Sequence, residues 1–166
     1  MSRVLVAAAS KHGSTQEIAE ALGRTLATAG HQVDVRAPSD VVSVRGYDAC
    51  VLGSGVYAGH WLPDARGLVD RTADELVAMP VWLFSSGPVG EPLKPHDDAV
   101  DVGHLQHLSA AREHHLFAGR IDRDRLSFPE RALVRALRVE CGDFRDWDEV
   151  EQWGRSIAVA LERSAV

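Results

Sequence analysis

Apolar runs and amphipathic stretches alternate along this chain. "RVLVAAA" (Arg3 to Ala9) is apolar without interruption after its first residue, the pattern of a strand buried on both faces. From about Thr15 to Ala29, Ile18, Leu22 and Leu26 recur every four residues, Glu17 stands near the positive end and Gly30 can stop the turns. This predicts a helix. "HQVDVRA" alternates and predicts a strand with one polar face, nearer a sheet edge. In the connection "PSDVVSVRGYD", Pro38 and Gly46 leave room for only a turn or so of helix. "DACVLGSG" and "PVWLFSSG" are further apolar runs, each ending in small residues and glycine. The polar stretch "EPLKPHDDAVDVGHLQHLSAAREHH" holds a helix from about Asp98 to Ala111, and "HLFAGRI" supplies a fifth strand. "FPERALVRAL" carries Pro129 at a helix start, and a last helix bears Val150, Trp153, Ile157 and Leu161 on one stripe.

Five apolar strands separated by helices predict an α/β chain with a parallel sheet covered on both faces. Such sheets bind ligands outside the carboxyl ends of their strands, where the winding reverses. The segments leaving strands one, three and four are "SKHGST", "SGVYAGHW" and "SSGPVGEP", and they should meet on one rim. With 166 residues, 45% hydrophobic and 25% charged, residues 1–166 fit a single domain with a full core. A net charge of -6 argues against nucleic acid or an anionic membrane as partner. No secretory signal pattern and no run of about 18 apolar residues is present, so the expectation is a cytoplasmic protein without an integral membrane segment. Cys50 and Cys141 lack CxxC spacing, which suggests neither a disulfide framework nor a zinc site; Cys50 reads as a small buried residue.

"SKHGSTQEIAE" (Ser10 to Glu20) places glycine and hydroxyl residues where a strand becomes a helix. A helix N-terminus has unpaired N–H groups and about half a positive charge, so it can hold a phosphate without lysine or arginine. Gly13 would let the backbone approach, while Ser10, Ser14 and Thr15 can donate to phosphate oxygens. Equally, Ser14 or Thr15 can simply cap the helix. This stretch resembles the phosphate loop of flavodoxins, with Ser10, Gly13 and Thr15 matching its pattern and His12 standing where a second hydroxyl is usual. "YDACVLGSGVYAGHWLP" resembles the flavin loop of that superfamily, and "RDWDEVEQWGRSIA" resembles the closing helix of its quinone-dependent protoporphyrinogen oxidase branch.

The resemblance runs through nearly the whole chain. It implies a flavodoxin-like three-layer sandwich with a five-stranded parallel sheet of order 2-1-3-4-5, and FMN as cofactor. It also implies binding by three loops: Ser10, Lys11, His12, Gly13, Ser14 and Thr15; Ser54, Gly55, Val56, Tyr57, Ala58, Gly59, His60 and Trp61; and Ser86, Gly87, Pro88, Val89 and Gly90. An isoalloxazine ring is flat and apolar over its faces and polar along one edge. Tyr57 and Trp61 can offer faces, Gly53, Gly55 and Gly59 can bring the backbone close, and Ser86, Gly87 and Val89 can meet the polar edge. Trp61 can equally pack into the core, and His60 can sit in solvent. "SSGPVGEP" has no aromatic residue to cover the ring, and an open ring suits an enzyme.

Other readings fare worse. "GSGVYAG" lacks the spacing of a dinucleotide loop, and the acidic residues of a phosphoreceiver are replaced by Ala8, Ala9 and Ser54. His104 and His107, with Asp101 one turn earlier, read as solvated, and no metal is assigned. Arg120, Arg123, Arg125, Arg131, Arg135 and Arg138 make a basic segment, with the last three opposite Leu133 and Leu137 on a helix. It stands where the protoporphyrinogen oxidase branch carries a longer insertion. It reads as a solvated face, or as a dock for an acidic partner or a propionate-bearing substrate. No side chain is assigned a catalytic role, since no paired carboxylates or His/Cys cluster accompany the loops. The expectation is an FMN-binding redox protein, an oxidoreductase or electron carrier, with an unspecified redox partner or small-molecule substrate. Two alternatives stand beside it: an enzyme oxidising protoporphyrinogen and passing electrons to a quinone, and a cofactor-free binding module.

Overall fold

A computed structural model describes residues 1–87 and 98–165. In chain order the elements are β1 (Arg3–Ala9), α1 (Ser14–Thr28), β2 (Gln32–Arg36), β3 (Ala49–Tyr57), β4 (His60–Trp61), α2 (Pro63–Leu76), β5 (Val81–Ser86), α3 (Val102–Ser109), β6 (Glu113–Phe117), β7 (Arg120–Ile121), α4 (Phe128–Ala136), β8 (Gly142–Asp143) and α5 (Trp147–Ser164). Single 3-10 turns lie at Pro38–Asp40 and Arg123–Arg125. The long strands pair in parallel in the order β2-β1-β3-β5-β6. Numbered among themselves, these strands run 2-1-3-4-5, and helices cover both sides in a three-layer sandwich.

Strand alternation explains the unbroken apolar run of β1. Val4, Val6 and Ala8 join a core cluster with Ile18, Leu22 and Leu26 of α1 and Val150, Trp153, Ile157 and Leu161 of α5. Leu5, Ala7 and Ala9 face the opposite cluster, with Leu68, Val69 and Leu76 of α2 and Val102 and Leu105 of α3. Phe84, Phe117 and Trp153 meet edge to face, with centroids 5.5 to 6.1 Å apart. Gly53 makes room for this group. A Cβ there would lie 2.3 Å from Phe84 Cζ, so Gly53 serves the core and not a ligand. Cys50 is fully buried, and burial pushes its thiol up to about 12.

Three elements differ from expectation. The run "HLFAGRI" is divided: β6 ends at Phe117, and β7 leaves the main sheet to pair antiparallel with β8. Gly119 O accepts the N–H of Phe144 at 3.0 Å, which ties the departing chain to the approach to α5. The helix expected from Asp98 is shorter, with Ala110 in the left-handed region at φ 52° just after its end. Helix α2, not separately foreseen, opens with Pro63 and buries Ala65, Leu68, Val69, Thr72 and Leu76 along one face.

Candidate functional site

The first loop ends in a backbone cap. Gly13 is the N-cap of α1 at φ 87° and ψ -10°, a conformation that disfavours side chains, and no side chain caps the helix. Neither Ser14 nor Thr15 therefore takes the capping role. Ser14 begins the helix with its Oγ buried and without a hydrogen-bond partner. Thr15 is buried, and its Oγ1 lies 3.1 Å from where a Cβ on Gly55 would sit. First and second loops therefore touch.

The second loop is a hairpin. Tyr57 pairs with His60 and Val56 with Trp61. Ala58 and Gly59 between them both have positive φ, 49° and 79°, as a two-residue hairpin turn requires. The pairing sends Trp61 inward. Its ring is 1% exposed, and Nε1 donates to Ser85 Oγ at 2.8 Å, so it belongs to the core and offers no face to a ligand. Ser54 is also interior, its Oγ accepting from Leu62 N–H at 2.9 Å and donating to Gly55 O at 2.7 Å. His60 Nδ1 is 3.2 Å from Asp101, whose other role is to accept from Trp61 N–H at 2.9 Å. Of the two rings expected to face a ligand, Tyr57 and Trp61, Tyr57 keeps exposure, at 39%.

Under the hairpin, Ser85 Oγ is 2.7 Å from His114 Nε2, and His114 Nδ1 is 3.6 Å from Asp98. The order of groups is that of a nucleophile triad, yet Ser85 is wholly buried and no substrate can reach it. Burial lowers the affinity of His114 for a proton, so the group works as a neutral polar tie beneath Trp61.

The first two loops and the start of the third, Ser86 and Gly87, meet around a cavity of about 340 Å³. Ser10, Lys11, His12, Ser14 and Thr15 line it from the first loop, Gly55, Val56, Tyr57 and Ala58 from the second, and Ser86 and Gly87 from the third. Gly13, Ser54, Gly59, His60 and Trp61 do not line it. Gly87 N–H already donates to Phe117 O at 3.3 Å, and Ser86 Oγ to Ala118 O at 3.4 Å, so the third loop's polar groups are partly spent within the sheet. Pro88, Val89 and Gly90 lie outside the described residues. The remaining wall is the arginine segment, with Arg120, Ile121, Asp122, Arg125, Leu126, Glu130, Leu133, Val134, Leu137 and Val139. Reading that segment as a solvated face missed this wall; the leucines opposite its arginines were the available signal.

Charge holds this wall to the first loop. Glu130 Oε1 is 2.9 Å from Lys11 Nζ, and its Oε2 is 2.7 Å from His12 Nε2. The Lys11 bond foremost, with His12 assisting, holds the Glu130 carboxyl at about 2. The bond to Glu130 in turn raises Lys11, whose ammonium stands 3.9 Å over the Tyr57 ring. Arg125 Nη1 donates to His12 O at 3.0 Å. Arg120 Nη1 donates to Glu17 at 3.2 Å, while its Nη2 is buried without a partner. Arg145, with a side chain only 3% exposed, donates to Ser14 O at 3.2 Å and pairs with Glu17 and Asp143. It holds both carboxyls below their ordinary range.

A family model described as a flavodoxin domain matches residues 5–148, and the chain belongs to that family. Among solved structures, flavodoxin 2 from Bacillus cereus is 19% identical with a TM-score of 0.65, the match covering 96% of this chain and 99% of that one. A Streptococcus pneumoniae flavodoxin is 16% identical with a TM-score of 0.64, covering 95% and 99%. Rubredoxin oxygen:oxidoreductase from Desulfovibrio gigas is 11% identical with a TM-score of 0.68; 99% of this chain is covered but only 37% of that larger one. No curated protein is similar to this chain at a significant level. Membership in the family implies a flavin cofactor, and the site fits its phosphate: the unpartnered Ser14 Oγ and the glycine cap lie together at the mouth of α1.

Proposed function

We propose that this chain binds FMN and works as a flavin-dependent redox protein, an oxidoreductase or electron carrier acting in the cytoplasm as one domain over residues 1–166. The observation that carries this reading is the buried, unpartnered Ser14 Oγ, on a residue that lines the cavity and directly follows the left-handed glycine cap. A phosphate is a ligand that satisfies such a donor and the free N–H groups of the first helical turn. Bound FMN supplies one- and two-electron transfer at its ring. Ser10, Gly13, Ser14 and Thr15 would hold the phosphate, and Val56, Tyr57 and Ala58 would bound the ring. Apolar side chains of α4 and its flanks line the opposite side.

The test is a visible spectrum before and after FMN is added and the protein desalted. Retained flavin absorbance supports the reading, and a colourless protein that retains none overturns it in favour of a cofactor-free module. A finer reading is favoured by the wall of Leu126, Leu133, Val134, Leu137 and Val139 beside Arg120 and Arg125. Such a wall suits an apolar substrate bearing carboxylates, as in protoporphyrinogen oxidation with a quinone as electron acceptor. An assay with both compounds tests it; an FMN-loaded protein inert toward them would leave the electron-carrier reading.

A further inference from the structure

Two arginines reach the mouth of α1 from far along the chain. Arg125 contacts His12 across 113 residues of sequence, and Arg120 contacts Glu17 across 103. We propose that Arg120 and Arg125 supply the counter-charge for the phosphate of the bound flavin nucleotide, so that this chain grips its cofactor with guanidinium groups as well as with helix amides. The inference rests on the FMN reading above.

Arg125 is placed at the cap itself. Its Nη1 lies 3.3 Å from where a Cβ on Gly13, the residue that opens α1, would be. The His12 ring is not available there, since its Nε2 is 2.7 Å from Glu130. Lys11 is held by the same carboxylate at 2.9 Å. The carboxylates near this mouth have cationic neighbours besides these two arginines: Glu130 has Lys11 and His12, and Glu17 and Asp143 share Arg145, while Arg120 also pairs with Glu17 and Arg125 Nε stands 3.5 Å from Asp122. Among the described residues, the buried side-chain atoms without a partner along the cavity are Ser14 Oγ and Arg120 Nη2, both able to donate. Buried donors without acceptors are costly, and an anion with several oxygens satisfies them together.

The test compares FMN with riboflavin, which lacks only the phosphate. Binding of each to the full chain is measured by flavin fluorescence at low and high salt, for the wild type and for Arg125→Gln, Arg125→Lys, Arg120→Gln and Ser14→Ala. The expected result is an FMN affinity about tenfold weaker in Arg125→Gln, with riboflavin unchanged. The salt dependence of FMN binding should flatten in Arg125→Gln and return in Arg125→Lys, because charge and not loop geometry sets it. Arg120 also holds Glu17, so its variant is checked by thermal melting. Ser14→Ala removes no ion pair and should weaken FMN alone by several-fold. Equal losses for FMN and riboflavin, or an unaltered salt dependence in Arg125→Gln, would overturn the inference while leaving FMN binding intact. A wild type that takes up neither flavin would overturn both proposals.

Discussion

Helices α4 and α5 are near neighbours in sequence and opposite in attachment. α5 buries Val150, Trp153, Ile157, Ala158 and Leu161 against α1 and the sheet. α4 buries no residue, and Phe128, Leu133 and Leu137 remain largely exposed. It is held instead by Glu130 to Lys11 and His12, while Arg125 just before it reaches the His12 carbonyl. Apolar burial is non-directional and scales with area, whereas ion pairs need geometry and are weakened by salt. The molecule thus has a scaffold fixed by its core and a cover over the site fixed by charge. Such a cover can shift without disturbing the sheet.

The contrast can be broken most forcefully at the scaffold. Trp153→Ala should cost about 3–5 kcal/mol in urea unfolding, since it empties a core aromatic position and frees Glu113 Oε1 from a 3.0 Å bond. A loss under about 1 kcal/mol would mean that α5 is no better anchored than α4. Gly13→Val comes next, where scaffold and cover meet. A side chain at φ 87° should cost about 1–2 kcal/mol and should also weaken FMN retention, measured by desalting.

Glu130→Gln tests the charge tether and should cost at most about 1 kcal/mol. Its effect carries a pH signature. The Glu130 carboxyl lies at about 2 in the folded chain against an ordinary 4.5, so the folded state favours the ionised form. The stabilisation is then fully present above about 4.5 and is lost as pH falls toward about 2. Urea titrations across that window should show wild type and variant converging at the acid end. A constant difference would remove the tether. Smallest of all, Leu137→Ser on the cover should change stability by less than about 0.5 kcal/mol, because the side chain is 66% exposed.

The scaffold was legible where one local rule decides. Residues Arg3 to Ala9 must be apolar throughout because both faces are covered, and Ile18, Leu22 and Leu26 must share a stripe because one face is. The first loop was legible for the same reason, as Gly13, Ser14 and Thr15 are adjacent and their helix follows at once. Trp61 was not. Whether a ring in a two-residue strand points in or out depends on Ser85 and Asp101, 24 and 40 residues away. The cover was hidden for a stronger version of that reason, because Glu130 meets His12 across 118 residues and Leu133 and Leu137, which did mark an apolar side, do not say what that side faces. The division of "HLFAGRI" depends on β8, which at Gly142–Asp143 is too short to leave a pattern.

The two sides of the sheet are also finished at different times as the chain is made. Among the described residues, the buried apolar partners of Leu5, Leu52 and Leu83 end at Leu105, whereas Val6, Val51 and Phe84 wait for Val150 through Leu161. During synthesis one side can close while the other is covered by α1 alone, so the apolar surface that stays open longest on the growing chain lies on the α1 side.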